Sequence, residues 1–293
     1  FRLPIADCLL NRKSQIENRK SSVLRLSSFV ITMSRLITLT TDFGTRDAFV
    51  GVMKGVILRL NPDAILVDIT HDIAPQNVAH AAFVLASAVP YFPPNTIHLV
   101  VVDPGVGSAR RALAAQVGET FFVAPDNGVL SLVLPPSSSV IHLTNPAYWL
   151  PRVSTTFHGR DIFAPVAAHL SLGVPLAALG TPIDDWVQLP QTRATRHGDI
   201  ITGRVVYIDR FGNALTNIGE ELLEGLERAR LVVRVGAQTL HGIHTTYTDV
   251  APGDALALVS STFHIEIAVR EGNAAQTLGI HIGDEVRIES AIC

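Results

Sequence analysis

The sequence predicts an α/β protein with two parts. An N-terminal, mostly parallel sheet carries helices on both faces, and a smaller C-terminal antiparallel, β-barrel-like domain follows. Three observations carry this. Strand-like and helix-like segments alternate from Leu36 to about Leu172, the pattern of a sheet built from crossover units. The run IHLVVV at 97–102 is apolar apart from His98, as in a strand buried on both faces. Beyond about residue 197 the texture changes to short alternating segments punctuated by glycine, the signature of antiparallel strands.

Each element follows from its residues. LITLT at 36–40 reads as the first strand and runs into Thr41, Asp42, Phe43 and Gly44. Asp47 to Leu60 reads as a helix, because Phe49, Val50, Met53, Val56, Ile57 and Leu60 recur at helical spacing. Asn61 and Pro62 stop it. Ala64–Ile69 is a second strand, and Val78–Val89 an alanine-rich helix closed by Pro90, Pro93 and Pro94. The run at 97–102 ends abruptly at Asp103, followed by a glycine-bearing turn and the pair Arg110–Arg111. Ala112–Val117 and Thr120–Ala124 read as strands, the second ending in PDNG, with a helix or helical turn from Gly128. TFHGRD at 156–161 precedes an apolar helix from about Ile162 to Leu172. In the C-terminal part, ITGRVVYID, ARLVVRVG, ALALVSS and HIEIAV read as strands, and only GEELLEGL carries helical signal. The expected boundaries are an extension outside the fold over 1–32, an α/β domain over 33–185, a linker over 186–196 and a β domain over 197–293.

Composition narrows the function classes. Of 293 residues, 47% are apolar and 17% charged, which supports a sizeable core and argues against disorder. A formal net charge of −3 gives no general attraction to nucleic acid or anionic membranes. The apolar runs are too short to span a bilayer. The two cysteines, Cys8 and Cys293, form neither a disulfide framework nor a metal spacing, so a reducing, cytoplasmic setting is expected. There is no P-loop, no GxGxxG fingerprint and no HExxH or Cys/His cluster; neither a metal nor another cofactor is expected.

Four polar loops follow or adjoin element ends: TTDFG at 40–44, DPGVGSARR at 103–111, PDNG at 125–128 and TFHGRD at 156–161. Strand ends are where open α/β sheets place ligands. Asp42 could accept two ribose hydroxyls, or cap the helix beginning near Asp47. Asp103, Arg110 and His158 form a polar set suited to handling water. A carboxylate orients or deprotonates it, a guanidinium holds the carboxylate, and an imidazole accepts or relays the proton. A turn cap, a surface ion pair and a satisfied imidazole account for the same three residues. In YIDRFGNALTNI at 207–218, Asp209 and Asn213 could read an ammonium and a carboxylate, with Phe211 as a wall. A hairpin with an Asx turn explains the stretch as well.

Taken together, ITLTTDFG, VDPGVGSARR, PDNG, STTFHGRDIFAP, YIDRFGNALTNI and SSTFHIEIAVREGNAA resemble the S-adenosylmethionine hydroxide adenosyltransferase family, relatives of the S-adenosylmethionine-dependent fluorinase and chlorinase. The resemblance runs from Leu36 to Glu289. It implies cleavage of S-adenosyl-L-methionine by water into adenosine and L-methionine, an α/β domain joined to a barrel-like domain, and a homotrimer with sites between subunits. Carried over by motif, Asp42 would hold the ribose, and Asp103, Arg110 and His158 would activate water at ribose C5′. Asn127 would join the substrate-binding set. Asp209, Asn213 and Ser261 would lie near the methionine amino and carboxyl groups, and Phe211 near the adenine and sulfonium. The family's halogenases lack the Arg–His pair that this chain keeps. The loops that form the fluorinase's halide pocket read PQN at 75–77 and STTFHG at 154–159 here, so no halide site is expected.

Overall fold

A computed structural model describes residues 36–135, 138–190 and 194–290. The expected extension over 1–32 lies outside the described residues, as do Cys8 and Cys293.

The first strand, β1 (Leu36–Thr41), is buried over nearly its whole length. It pairs in parallel with β2 (Ile65–Thr70) and β3 (Ile97–Val101). β3 in turn pairs in parallel with β5 (Thr120–Pro125). The sheet continues antiparallel through β4 (Ala112–Val117), β6 (Ser139–Leu143) and β7 (Gly180–Ile183), giving the order β2-β1-β3-β5-β4-β6-β7. Both faces are covered, which explains the almost wholly apolar run of β3, broken only by His98. Successive side chains alternate. Leu99 and Val101 join the core under α1 (Phe49–Leu60) and α3 (Ala164–Ser171). Val100 and Val102 join the core on the other face, with Leu85 of α2 (Val78–Ala88) and Leu130.

α1 buries Val50, Met53 and Ile57, the stripe its spacing predicts. It begins at Phe49 rather than Asp47. Its N-cap is Ala48, with no side-chain cap, and Asp42 does not cap it either. α2 is capped by Asn77, whose side chain accepts from the His80 N–H at 2.9 Å, and ends at Ala88 before a 3₁₀ turn at Val89–Tyr91. From Gly128 the chain forms successive turns without a regular helix, with Ser131 N bonded to Gly128 O and Leu134 N to Leu130 O. The helix expected from Ile162 is split. A π turn spans Gly159–Phe163, and α3 starts at Ala164. β6 and the edge strand β7 were not expected; both are short, β6 mixing buried with exposed positions and β7 having none buried.

The start of the segment read as a linker, residues 186–187, is held to the α/β core. Trp186 is buried there, and the Val187 N–H donates to Asp126 Oδ1 at 2.7 Å. The second sheet runs β12-β11-β15-β9-β10-β14-β13, with β8 (Thr195–His197) paired to β9. Its members are β9 (Ile200–Ile208), β10 (Ala214–Gly219), β11 (Leu231–Val235), β12 (Gln238–His241), β13 (Ala255–Val259), β14 (His264–Val269) and β15 (Glu285–Ser290). All its ladders are antiparallel, and a bridge between His244 and Leu258 brings its two ends together into a nearly closed, barrel-like sheet. GEELLEGL forms only a 3₁₀ turn at Glu220–Leu223. Gly225, at φ 79°, follows after one turn, too soon for a helix to propagate. A short helix, α4 (Ala274–Leu278), capped by Asn273, was not expected.

Candidate active site

Because β1 and β3 are parallel neighbours, their carboxyl ends open at the same edge of the sheet. Asp42 follows one and Asp103 the other. The turn after β1 is tied down by His71. The His71 carbonyl accepts from Gly44 N–H at 2.8 Å, its Nδ1 lies 2.9 Å from Thr41 Oγ1, and its Nε2 lies 3.0 Å from Asp68 Oδ1. Lys54 holds the other oxygen of Asp68 at 2.6 Å. Asp42 Oδ2 accepts from the Gln76 backbone N–H at 2.8 Å. A carboxylate has about four lone-pair sites, so acceptor capacity remains for two hydroxyls.

Asp103 and Arg110 sit at opposite ends of one loop and meet as a bidentate pair. Arg110 Nε donates to Oδ1 at 3.0 Å and Nη2 to Oδ2. Both side chains are largely buried, 6% and 7% exposed. Arg110 Nη1 donates to the Arg111 carbonyl at 3.0 Å. The same Nη2 reaches His158 Nδ1 at 3.1 Å. A guanidinium only donates, so Nδ1 accepts, and a neutral His158 carries its proton on Nε2. Burial raises the Asp103 carboxyl above its ordinary value, against the opposing pull of Arg110. Burial and then the Arg110 charge lower His158, against Asp103 and Asp161. The imidazole is therefore neutral at neutral pH.

Asp42, Asp103 and His158 line one cleft of ≈ 390 Å³. Its apolar wall is a trio that sequence reasoning did not single out: Phe43, Phe49 and Phe157. Their ring centroids lie 5.2–5.8 Å apart, two of the three pairs edge to face. Two of these rings flank the polar residues in TTDFG and TFHGRD; only the fold brings Phe49 to them. Asn127 does not line this cleft. Its amide donates to the Val102 carbonyl at 2.8 Å and its Oδ1 accepts from Val129 N–H at 3.2 Å, so it fastens the end of β3 just before Asp103.

The other candidates lie on the second sheet. Asp209 closes the β9–β10 hairpin as an Asx turn. Its Oδ1 accepts from the N–H groups of Phe211 and Asn213, and its Oδ2 from the Asn213 amide at 3.1 Å. Phe211, 75% exposed, and Asn213 line a separate cleft of ≈ 310 Å³ with Tyr247 and Arg270. The Tyr247 hydroxyl donates to buried Glu266 at 2.7 Å, a pair that sequence reasoning missed. Ser261 is exposed in the β13–β14 turn and lines neither cleft. The two clefts share no residue. Among the described residues, no cluster of His, Cys, Asp and Glu could hold a metal ion, and no helix is long and apolar enough to cross a membrane.

An open α/β sheet joined to a nearly closed antiparallel sheet, with a buried acid–arginine–histidine contact at the strand ends beside an aromatic wall, defines a two-part α/β-plus-barrel protein equipped to handle a polar reactant. Residues 37–180 match the N-terminal domain model, and residues 203–287 the C-terminal domain model, of the SAM hydroxide adenosyltransferases. The chain belongs to this family. A Salinispora tropica protein named (R)-S-adenosyl-L-methionine hydrolase is 44% identical over 257 residues, 86% of this chain and 97% of that protein. A Thermus thermophilus protein of the same name is 38% identical, covering 87% and 99%. More distant fluorinases match at about a quarter identity, one from an Actinoplanes species at 25%. The crystal structure of an uncharacterized conserved protein from Thermotoga maritima superposes with a TM-score of 0.81 at 40% identity, covering 86% of this chain and 99% of that one.

Proposed function

We propose that the protein hydrolyses S-adenosyl-L-methionine to adenosine and L-methionine by in-line attack of water at ribose C5′. The observation that carries this reading is the contact of Asp103, Arg110 and His158 at the cleft that also holds Asp42. The names of the similar proteins agree with it, and they specify the R configuration at sulfur, which we adopt as the expected substrate epimer.

The sulfonium is already a good leaving group, so no acid, metal or redox cofactor is needed to expel methionine. The oxygen–C5′ bond forms as the C5′–sulfur bond breaks, and the bonding pair returns to sulfur as a neutral thioether. The attacking water becomes strongly acidic as it bonds to carbon, so a carboxylate suffices to take its proton. Asp103 fits that task, held in place by Arg110, with His158 aligning or relaying; the proton then passes to solvent. Negative charge fixed behind the incoming water is the electrostatic stabilisation the transition state requires. Asp42 holds the ribose, and the phenylalanine wall suits a sulfonium cation.

The remaining substrate groups fall to Asp209, Phe211, Asn213 and Ser261 of a neighbouring subunit, in a homotrimer with sites between subunits. The separation of the two clefts within one chain supports this arrangement. Asn127 contributes by holding the strand end. We place the protein in the cytoplasm, where its substrate is made.

The direct test is incubation with each sulfur epimer in halide-free H₂¹⁸O, followed by chromatography and mass analysis. Adenosine labelled at the 5′ oxygen, with methionine, is expected. Recovery of intact substrate would reject hydrolysis, and chloride-dependent formation of 5′-chloro-5′-deoxyadenosine would indicate a halogenase. Mixing Asp103→Asn with Asn213→Ala chains tests the shared site, since mixed assemblies regain activity only if the two halves come from different subunits.

A further inference from the structure

We infer that Asp161 is a positioning residue that sets His158 against Arg110 and locks the two loops of the candidate active site together. The inference rests on the hydrolase reading for its kinetic consequence, but its geometry is independent of it. Asp161 is fully buried and does not line the cleft, so any effect on the reaction runs through its neighbours. A buried carboxylate persists only when paired, and this one receives four donors. Ser154 N–H and Oγ–H reach Oδ2 at 2.8 and 2.7 Å. Arg160 Nε reaches Oδ1 at 2.6 Å and its Nη2 reaches Oδ2 at 3.0 Å.

These bonds fasten Ser154 to the π turn and so fix both ends of the segment carrying Thr155, Phe157 and His158. Ser154 Oγ also accepts from the Phe157 N–H at 3.1 Å. The Arg160 guanidinium sits 5.3 Å from the Phe157 ring centroid, which steadies one ring of the cleft wall. Within the segment, the Thr155 carbonyl presses on Gly107, where a β-carbon would collide with it and where φ is 78°. Gly107 lies between Asp103 and Arg110. A chain of contacts thus runs from Asp161 through Ser154 and Thr155 to the loop that carries the acid and the arginine.

The charges that act on His158 are Arg110, Asp103 and Asp161. Asp161 favours the imidazolium, so loss of its charge alone, with His158 held in place, lowers His158 further, whereas release of His158 from burial and Arg110, the larger effects, raises it. The test is Asp161→Asn, with Ser154→Ala and Gly107→Ala as companions, read by steady-state kinetics and by NMR titration of the ¹⁵N-labelled histidine ring. We expect kcat to fall about 100-fold in Asp161→Asn, the effect of misplacing a reacting group by an ångström. KM should stay within about threefold. The His158 titration should move to higher pH, because an imidazole released from burial and from Arg110 escapes the two effects that lower it. The companions should lose kcat without a comparable change in KM. Wild-type kcat in Asp161→Asn, or in both companions should Asp161→Asn fail to fold, overturns the inference. If the wild-type chain does not hydrolyse the substrate, the functional reading fails on its own. The titration still decides the placement, an upward shift of His158 in Asp161→Asn upholding it and a downward or absent shift overturning it.

Discussion

The Gln76 backbone N–H holds Asp42 at 2.8 Å from a left-handed conformation, φ 63°. A non-glycine residue adopts that conformation at a cost, so the surrounding structure maintains this donor toward the carboxylate. Gln76→Pro removes the N–H and cannot reach the positive φ. We expect it to raise KM about tenfold, in line with loss of one hydrogen bond to a charged group. Gln76→Gly keeps the donor and should leave KM near wild type. Steady-state kinetics and calorimetric titration with adenosine measure both.

Asp103→Asn should lower kcat by about 100-fold or more, the range for a lost proton acceptor, while adenosine binds with near wild-type affinity. His158→Ala should do the same. Arg110→Ala carries a second penalty, because it leaves Asp103 buried and unpaired. Breaking such a pair destabilises by roughly 3–5 kcal/mol, measurable by urea denaturation. Arg110→Lys should not restore activity, since an ammonium cannot form the two parallel bonds.

The pH profile follows from the directions of the shifts. His158 is lowered by burial and by Arg110, and Asp103 is raised by burial. His158 therefore titrates below the ordinary histidine range and Asp103 above the ordinary carboxylate range, and kcat/KM should fall as the pH drops through the acid range. Arg110→Gln removes a positive charge, so both groups should titrate higher and the acid limb should move toward neutral pH. A limb that stays in place would separate the profile from this cluster. The two titrations are coupled through Arg110, and the midpoint belongs to the set.

Stability should also depend on pH, through a residue outside the site. His98 of β3 is fully buried, shares a 2.8 Å hydrogen bond with Thr38, and stacks on Phe122. Burial lowers it to about 4. The unfolded chain takes up this proton from about pH 6.5 downward and the folded chain only near 4, so stability falls as pH drops through that window. The full difference amounts to about 3 kcal/mol. Urea denaturation at pH 7.5 and 4.5 should show most of it, and His98→Phe should flatten the slope.

How legible the site was depended on whether its geometry is local. Asp103 stood out because a six-residue apolar run ends there, and the length of that run reports a strand buried on both faces. The pairing with Arg110 could not be read from spacing; the family resemblance put the two residues in one set, and the folded loop closes the pair. His158 came from the same inspection of element ends, but its contact with Arg110 depends on α3 packing over the sheet. The phenylalanine trio was not legible, because Phe43, Phe49 and Phe157 meet only through three separate elements. Asp161 sat in a motif already noted and looked like part of a helix start. Its role emerges only when Ser154 is found seven residues back on the same carboxylate. In the β part, GEELLEGL has the composition of a helix, but Gly219 and Gly225 leave it one turn; in the α/β sheet, β6 has only five residues and β7, GTPI, carries a glycine and a proline.

The π turn at Gly159–Phe163 constrains how this gene can vary. A π turn is an α-helical turn with one residue more, so a single-codon deletion between 159 and 163 would restore α geometry. Everything before it would then rotate by about 100° around the helix axis. His158 would swing off Arg110 although its own side chain is unchanged. A chain one residue shorter here would lose the contact of His158 with Arg110, and with it the activity proposed for that set.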